Sequence, residues 1–250
     1  MDPRAREIEE AVVDAWPARE LEDVEGWLMQ HSGGPTHRAN SVSALEARGG
    51  ASLDERIARM EAWYAQRGAR ASVQVGPCTV PAGLDAALES RGYAKVGEAV
   101  AAVAEPRALL ARLPRRLEAS VAMAPSDAWL AVAERASRFA EHAEVLRGFL
   151  SRLGTRCRFA SARDASGRVI GTALGVSCEA RPGVYQMLTL PEARRRGAGS
   201  ALLRALTEGA LADGVEELYL LVEPDNTAAR SLYARAGFVD LYRYHYRERA

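Results

Sequence analysis

Apolar residues recur along this chain with two periods, one of three to four residues and one of two, and their succession predicts an α/β protein. Leu53, Ile57, Met60 and Trp63 or Tyr64 share one face of a helix over Leu53 to Gln66. Another helix is predicted from Arg4 to Trp16, stopped by Pro17, and a third from Ala82 to Ser90, closed by Arg91-Gly92. Strands are predicted at Gly26 to Gln30 and Arg38 to Leu45, around a Gly33-Gly34 turn, then at Ser72 to Val75 and Ala99 to Val103.

The second half has the clearer pattern. Leu117 to Met123 reads as a strand, and Ser126 caps a helix running through Ser137 with Asp127 in its first turn. A helix from Ala143 to Arg152 follows. Arg158 to Asp164 and Val169 to Ser177 pair around D-A-S-G-R, and Val184 to Leu190 is a further strand. Then come a helix from Gly197 to Ala212, a strand from Glu217 to Val222, a helix from Thr227 to Ala236 and a last strand from Asp240 to Arg247. Antiparallel strands followed by a strand-helix-strand crossover imply a mixed sheet flanked by helices. The helix-strand-helix order ending in R-G-Y in the first half returns in the second, ending in A-G-F, which points to a duplication. The expected organisation is a domain over 1–105, a linker over 106–116 broken by Pro106 and Pro114, and a domain over 117–250. The linker has room for a short helical turn around Leu109.

Composition narrows the function. The 250 residues carry 33 basic and 33 acidic side chains, so no net field calls for nucleic acid or an anionic membrane. Cys78, Cys157 and Cys178 form no C-x-x-C pair and suit buried thiols in a reducing compartment. The N-terminus is charged and lacks a secretory apolar region, and no apolar run approaches the roughly 20 residues of a membrane span. His31, His37, His142 and His245 show no H-x-x-x-H spacing, so no metal is expected. The expectation is a cytoplasmic protein without nucleic-acid or membrane partners. The aromatic-basic alternation Y-R-Y-H-Y near the C-terminus is explained by a two-faced strand rather than by base stacking.

Chemistry concentrates between Pro191 and Phe238. In R-R-R-G-A-G-S, Arg194 to Ser200, a strand ends and a helix begins. The first amides of a helix lack intrahelical acceptors and carry partial positive charge, so they hold a phosphate. Gly197 and Gly199 permit close approach, and Arg194, Arg195 and Arg196 add forked cationic donors. A P-loop is excluded because no G-K-[ST] follows, and a dinucleotide fingerprint because the next glycine is Gly209. An exposed arginine turn is the plainer alternative. Further on, Asp225 or Asn226 caps the next helix, and Ala228 and Ala229 leave room at its start. Tyr233 follows, a phenol of ordinary pKa about 10 that stays protonated at neutral pH. Alone it also fits a packing residue at the core's edge.

Together, the R-x-x-G-x-G turn, the apolar strand and N-x-x-A-x-x-L-Y-x-x-x-G-F resemble the GCN5-related N-acetyltransferase (GNAT) superfamily over Leu117 to the C-terminus. The whole chain resembles its tandem members, with G-G-P-T-H-R-A-N-S-V like their N-terminal halves. The resemblance implies two tandem domains, each a mixed, mostly antiparallel sheet flanked by helices, with a splayed strand pair in the C-terminal one. It implies acetyl-CoA as cofactor, with its pyrophosphate on Arg194, Arg195, Arg196, Gly197, Ala198, Gly199 and Ser200. Its pantetheine arm would lie along Leu188, Thr189 and Leu190 and against Asn226 and Ala229, with Tyr233 near the sulfur as general acid. The first half departs from this pattern. E-A-R-G-G-A-S stands where the arginine turn belongs, and Leu88 stands where Tyr233 does. Weak or no cofactor binding is expected there, and walling of the substrate cleft, although Arg48, Gly49 and Gly50 leave a degenerate site open.

The implied reaction is attack by a primary amine of a small-molecule acceptor on the thioester. An alkylammonium is only about one part in a thousand neutral at pH 7, a deficit of roughly 4 kcal/mol, so a base is needed. Glu223 is the first candidate, beside Asp225, Glu179, Glu141 and His142, each of which also suits a solvated surface position. The Leu188 amide is the expected oxyanion donor. The rival reading is a non-catalytic acyl-CoA-binding or sensor module. The chain is expected to be a monomer whose domains form a pseudo-dimer, or a homodimer.

Overall fold

The computed structural model describes residues 2–136, 139–178 and 181–249. Helix α1 (Pro3–Ala15) starts where Asp2 accepts the Arg4 amide at 2.9 Å, and it buries Ile8, Ala11 and Val12. Strand β1 (Glu20–Val24) escaped the pattern because three of its five residues are acidic and Leu21 is exposed. It pairs with β2 (Trp27–His31) through Glu25 and Gly26, both at positive φ (52° and 93°), the conformation that two-residue hairpin turns require. Charges suit such a position, because they deter an edge strand from pairing with another chain. Strand β3 (Val42–Ala44) is shorter than expected. His37–Ala39 form a 3-10 turn instead, and Asn40 ties that loop by donating to the Gly33 and Thr36 carbonyls at 3.0 and 2.8 Å. Helix α2 (Leu53–Ala65), strand β4 (Ser72–Val75), helix α3 (Leu84–Ser90) and strand β5 (Ala94–Ala104) follow.

The chain divides into two compact units, one of residues 1–99 with 242–250, the other of residues 100–241. In the first, β2 and β3 are antiparallel, β3 and β4 parallel, and His245 to Glu248 complete the sheet antiparallel to β4. Its core sets Trp27, Met29, Val42 and Ala44 of the sheet against Ile57, Met60, Trp63 and Tyr64 of α2 and Leu84 and Leu88 of α3. The C-terminal residues thus belong with the first unit, where the pattern had put everything after 117 in the second.

The segment expected as a linker contains the helical turn expected around Leu109. Pro106–Arg112 is helix α4, and its Leu109 is fully buried. Proline at a helix's first position costs no hydrogen bond and starts the helix rather than interrupting it. Then come β6 (Ala119–Ala122), α5 (Asp127–Ala136), α6 (Ala143–Leu153), β7 (Cys157–Arg163), β8 (Val169–Val176), β9 (Gly183–Thr189), α7 (Ala198–Ala212), β10 (Leu218–Val222), α8 (Thr227–Ala236) and β11 (Val239–Glu248). Ser137, where the second-half helix was expected to end, lies outside the described residues. Within the second unit the strand order is β6-β7-β8-β9-β10-β5, antiparallel except for β9 and β10. Its main core joins Val100, Ala102 and Leu109 with Ala198, Leu202 and Leu206 of α7, Leu220 and Val222 of β10, and Tyr233 of α8. No described helix is long and apolar enough to cross a membrane.

Candidate functional site

Strands β9 and β10 run parallel, but they pair only at Gly183 with Tyr219 and Val184 with Leu220. Beyond that point β9 stays on β8 and leaves β10. The cause is visible on β9, where Gln186 takes φ 47° and the register against β8 slips by one residue between Tyr185 and Leu188. Such a bulge bends its strand and re-aims the backbone groups that follow. Leu190 donates its amide to the Ile170 carbonyl at 2.9 Å, and its own carbonyl accepts from Ala193 at 2.9 Å. Leu190 is therefore committed to β8 and to the next turn. Successive strand residues alternate in direction, so Leu188 also faces β8, while Met187 and Thr189 turn their backbone groups to the open side. Of the three strand residues named from the sequence, Leu188 and Leu190 face β8, and Thr189, with Met187, faces the open side.

The open strand leads into the arginine turn. Arg195 stands at φ 60° and Gly197 at φ 96°, and Gly197 is the N-cap of α7 without a side chain to offer the helix. The first carbonyl-bound amide of α7 is Ala201, held by Gly197 at 3.0 Å. The amides of Ala198, Gly199 and Ser200 thus meet no carbonyl one turn back, which makes the concave, amide-lined end that anions occupy. Arg194, Arg195 and Arg196 are exposed and carry no ion pair among the described residues. The two glycines differ in purpose. Gly197 is demanded by its backbone angle. A Cβ on Gly199 would come within 2.9 Å of Leu232 Cδ2, so that glycine lets α7 and α8 pack closely.

Helix α8 begins on Asn226, whose side-chain oxygen accepts the Ala229 amide at 3.2 Å. Its amide group is left to donate outward from an exposed position. Ala229 packs half-buried on the core. Tyr233 is 8% exposed and leans edge-on to Phe238 at 5.8 Å. Its hydroxyl has no partner among the described residues, and burial pushes its pKa up to about 12. Glu223 is exposed one residue past β10, its carbonyl holding the Asn226 amide at 3.1 Å. Asp225 lies in the same turn. Glu141 and His142 precede α6, and Glu179 lies outside the described residues.

An open strand edge before a bare helix N-terminus can bind an extended amide-bearing chain that ends in an anion. Comparison with known proteins agrees. The family described as probable histone acetyltransferase Rv0428c C-terminal matches residues 3–247. The chain belongs to that family. It is a GCN5-related N-acetyltransferase of the tandem type. The uncharacterized N-acetyltransferase YobR of Bacillus subtilis (strain 168) is 30% identical over 249 residues, 97% of each chain. A mycothiol acetyltransferase of Clavibacter sepedonicus is 37% identical over 153 residues, covering 56% of this chain and 49% of its own length. In fold, the chain matches a GCN5-related N-acetyltransferase from Kribbella flavida with TM-score 0.71 at 18% identity, over 98% of this chain and 95% of that one. It also matches a tandem GNAT protein from the clavulanic acid biosynthesis pathway with TM-score 0.67 at 15% identity, over 97% and 87%.

Sequence reasoning about this acetyltransferase missed Gln186 and Met187. A glutamine in a strand carries no mark of a bulge, since glycine is the usual signal for positive φ.

Proposed function

We propose that the C-terminal unit transfers an acetyl group from acetyl-CoA to the primary amine of a small-molecule acceptor. The observation that carries this reading is the open side of β9 running directly into the glycine-capped start of α7. The residues present fit the cofactor: unpaired strand groups suit the pantetheine amides, and bare amides with Arg194 to Arg196 suit the diphosphate. Acetyl-CoA supplies the acetyl group as a thioester, with a carbonyl that accepts an amine and a sulfur that leaves as thiol. Thr189 and Met187 align the arm by backbone hydrogen bonds, and the Met187 amide is the nearer candidate for the carbonyl oxygen. Asn226 donates its side-chain amide to the arm, and Ala229 leaves room for it.

Tyr233 holds a proton toward the sulfur. Its pKa of about 12 lies well above that of a thiol at about 8.5, so complete transfer would cost roughly 5 kcal/mol. The phenol therefore acts as a hydrogen-bond donor to the leaving sulfur and keeps its own proton. Glu223, exposed and past the end of β10, takes the ammonium proton, directly or through water, and the proton that completes the thiol is the second one the nitrogen loses as the amide forms.

The test is thiol release from acetyl-CoA across an amine panel: amino sugars, amino acids, polyamines, aminoglycoside-type antibiotics, mycothiol-type amines and histone-type lysine peptides. The last two follow from the family and the relative that this chain resembles, a histone acetyltransferase family and a mycothiol acetyltransferase. Turnover of at least one small amine is expected. Release confined to lysine peptides would replace the small-molecule reading with a protein acceptor, and absence of coenzyme A uptake would end the cofactor assignment.

A further inference from the structure

We infer that Arg116 is a fourth cationic contact for the nucleotide tail and reads the 3′-phosphate of coenzyme A. The inference rests on the cofactor reading above and deepens it. Arg116 enters from the segment between α4 and β6. That segment is pinned: Leu109 and Leu113 are buried in the core, and Arg204 of α7 donates to the Leu110 carbonyl at 2.7 Å and to the Leu113 carbonyl. Arg115 is used up by Glu208 of α7 at 3.0 Å. Its neighbour Arg116 is exposed and has no partner among the described residues. The Cβ of Arg116 lies 3.8 Å from where a Cβ on Gly197 would stand, so its side chain starts beside the turn that caps α7.

Most arginines of this chain are tied to carboxylates or carbonyls, as Arg48, Arg56, Arg67, Arg158, Arg168, Arg230 and Arg247 are. Four that are not lie in the turn before Gly197 or beside it, Arg194, Arg195 and Arg196 in the turn and Arg116 against it. A diphosphate brings two negative charges, which Arg194 to Arg196 and the α7 amides answer. Coenzyme A carries a further phosphate monoester on its ribose. With a second pKa of about 6, that group adds a charge of about −1.5 to −2 at pH 7 and needs a cation of its own. Arg116 reaches the turn from a different segment than the loop arginines do, which suits it to the phosphate that branches off the tail.

Calorimetry on the full chain with acetyl-CoA and with acetyl-3′-dephospho-CoA tests this. The wild type is expected to bind the dephosphorylated thioester about tenfold more weakly, the size of one charge-assisted contact at a solvated site. Arg116→Ala is expected to weaken acetyl-CoA about tenfold, leave the dephosphorylated thioester unchanged and so erase the preference. Arg116→Lys should restore part of it, and Arg115→Ala should keep it whole. Equal losses for both thioesters, or a preference that survives Arg116→Ala, would overturn the inference. A wild type that binds both thioesters equally well overturns it too, while one that binds neither sinks the cofactor reading beneath it.

Discussion

Helices α2 and α7 begin at matching places in the two units and leave their first amides in opposite states. Helix α2 is capped by Ser52, whose hydroxyl accepts the Glu55 amide at 3.3 Å while the Glu55 carboxylate takes the Ser52 amide at 2.7 Å. That capping box places an internal anion where a phosphate would bind. The nearby arginines are likewise occupied, Arg48 by Asp23 and Glu46, Arg56 by Glu25. Helix α7 has a bare glycine cap, and the arginines before it have no ion pair among the described residues. The strands repeat the contrast. Beyond the parallel pairing of β3 and β4, Val80 donates to the Ala44 carbonyl at 2.9 Å and Arg6 donates to that of Leu45, so the first unit closes its gap with its own chain. Beyond the pairing of β9 and β10, Thr189 and Met187 face an open side. At the third position fully buried Leu88 stands against Tyr233. One architecture thus yields a self-satisfied unit and a receptive one, and the difference lies in which groups meet the helix amides.

The largest effect expected from this contrast is on the cofactor. Replacing Arg194, Arg195 and Arg196 together with alanine should weaken acetyl-CoA binding by on the order of a thousandfold in calorimetry, since each charge-assisted contact contributes about 1.5 kcal/mol or more. Retained affinity would make α7 no more receptive than α2.

Next comes the filling of the first unit. Glu9 is 2% exposed, its Oε1 has no hydrogen-bond partner among the described residues, and a Cβ on Gly76 would collide with it. Burial raises its carboxyl from 4.5 to about 7, against the smaller opposing pull of the Cys78 amide and Arg6. The fold therefore favours the neutral acid. That contribution is intact below pH 4.5 and is lost as pH rises through 7, a change of up to about 3 kcal/mol. Glu9→Gln should melt near the wild type at pH 5 and several degrees above it at pH 8.5. Parallel pH curves for the two proteins would show that this carboxyl does not titrate as argued.

Tyr233→Phe should lower turnover about a hundredfold at neutral pH while the acetyl-CoA dissociation constant holds, as expected when a proton donor is lost and a buried ring is kept. An unchanged turnover removes the phenol from the reaction. The smallest effect is a transplant: Ser200→Glu puts a carboxylate at the α7 position that Glu55 holds in α2. It should cost about tenfold in acetyl-CoA affinity through the occupied amides and like-charge repulsion. Affinity at the wild-type level would mean that the capping box is not what separates the units.

Much of this was readable in the chain. The R-R-R-G-A-G-S turn, the Asn226 cap and the periodic faces of α2, α7 and α8 each depend on residues within a turn or two of one another. Strand β1 was hidden because its acidic residues mimic a loop, and α4 was legible only as a short helical turn around Leu109 because Pro106 and Pro114 mimic a linker. The direction of the β9 groups was misjudged by one residue, since alternation can be counted only from a known register and the bulge at Gln186 resets that count.

Residue order alone settled the succession of helices and strands, the family pattern and the place of the arginine turn, because side-chain periodicity and caps act between near neighbours. Contacts between distant segments decided everything else. Leu232 gives Gly199 its purpose, Ile170 claims the Leu190 amide, Arg6 and Val80 shut the gap beside β3, and the pinned segment after α4 brings Arg116 to Gly197. Each outcome depends on a contact between residues far apart in the chain, and such contacts are settled only when those segments are packed together.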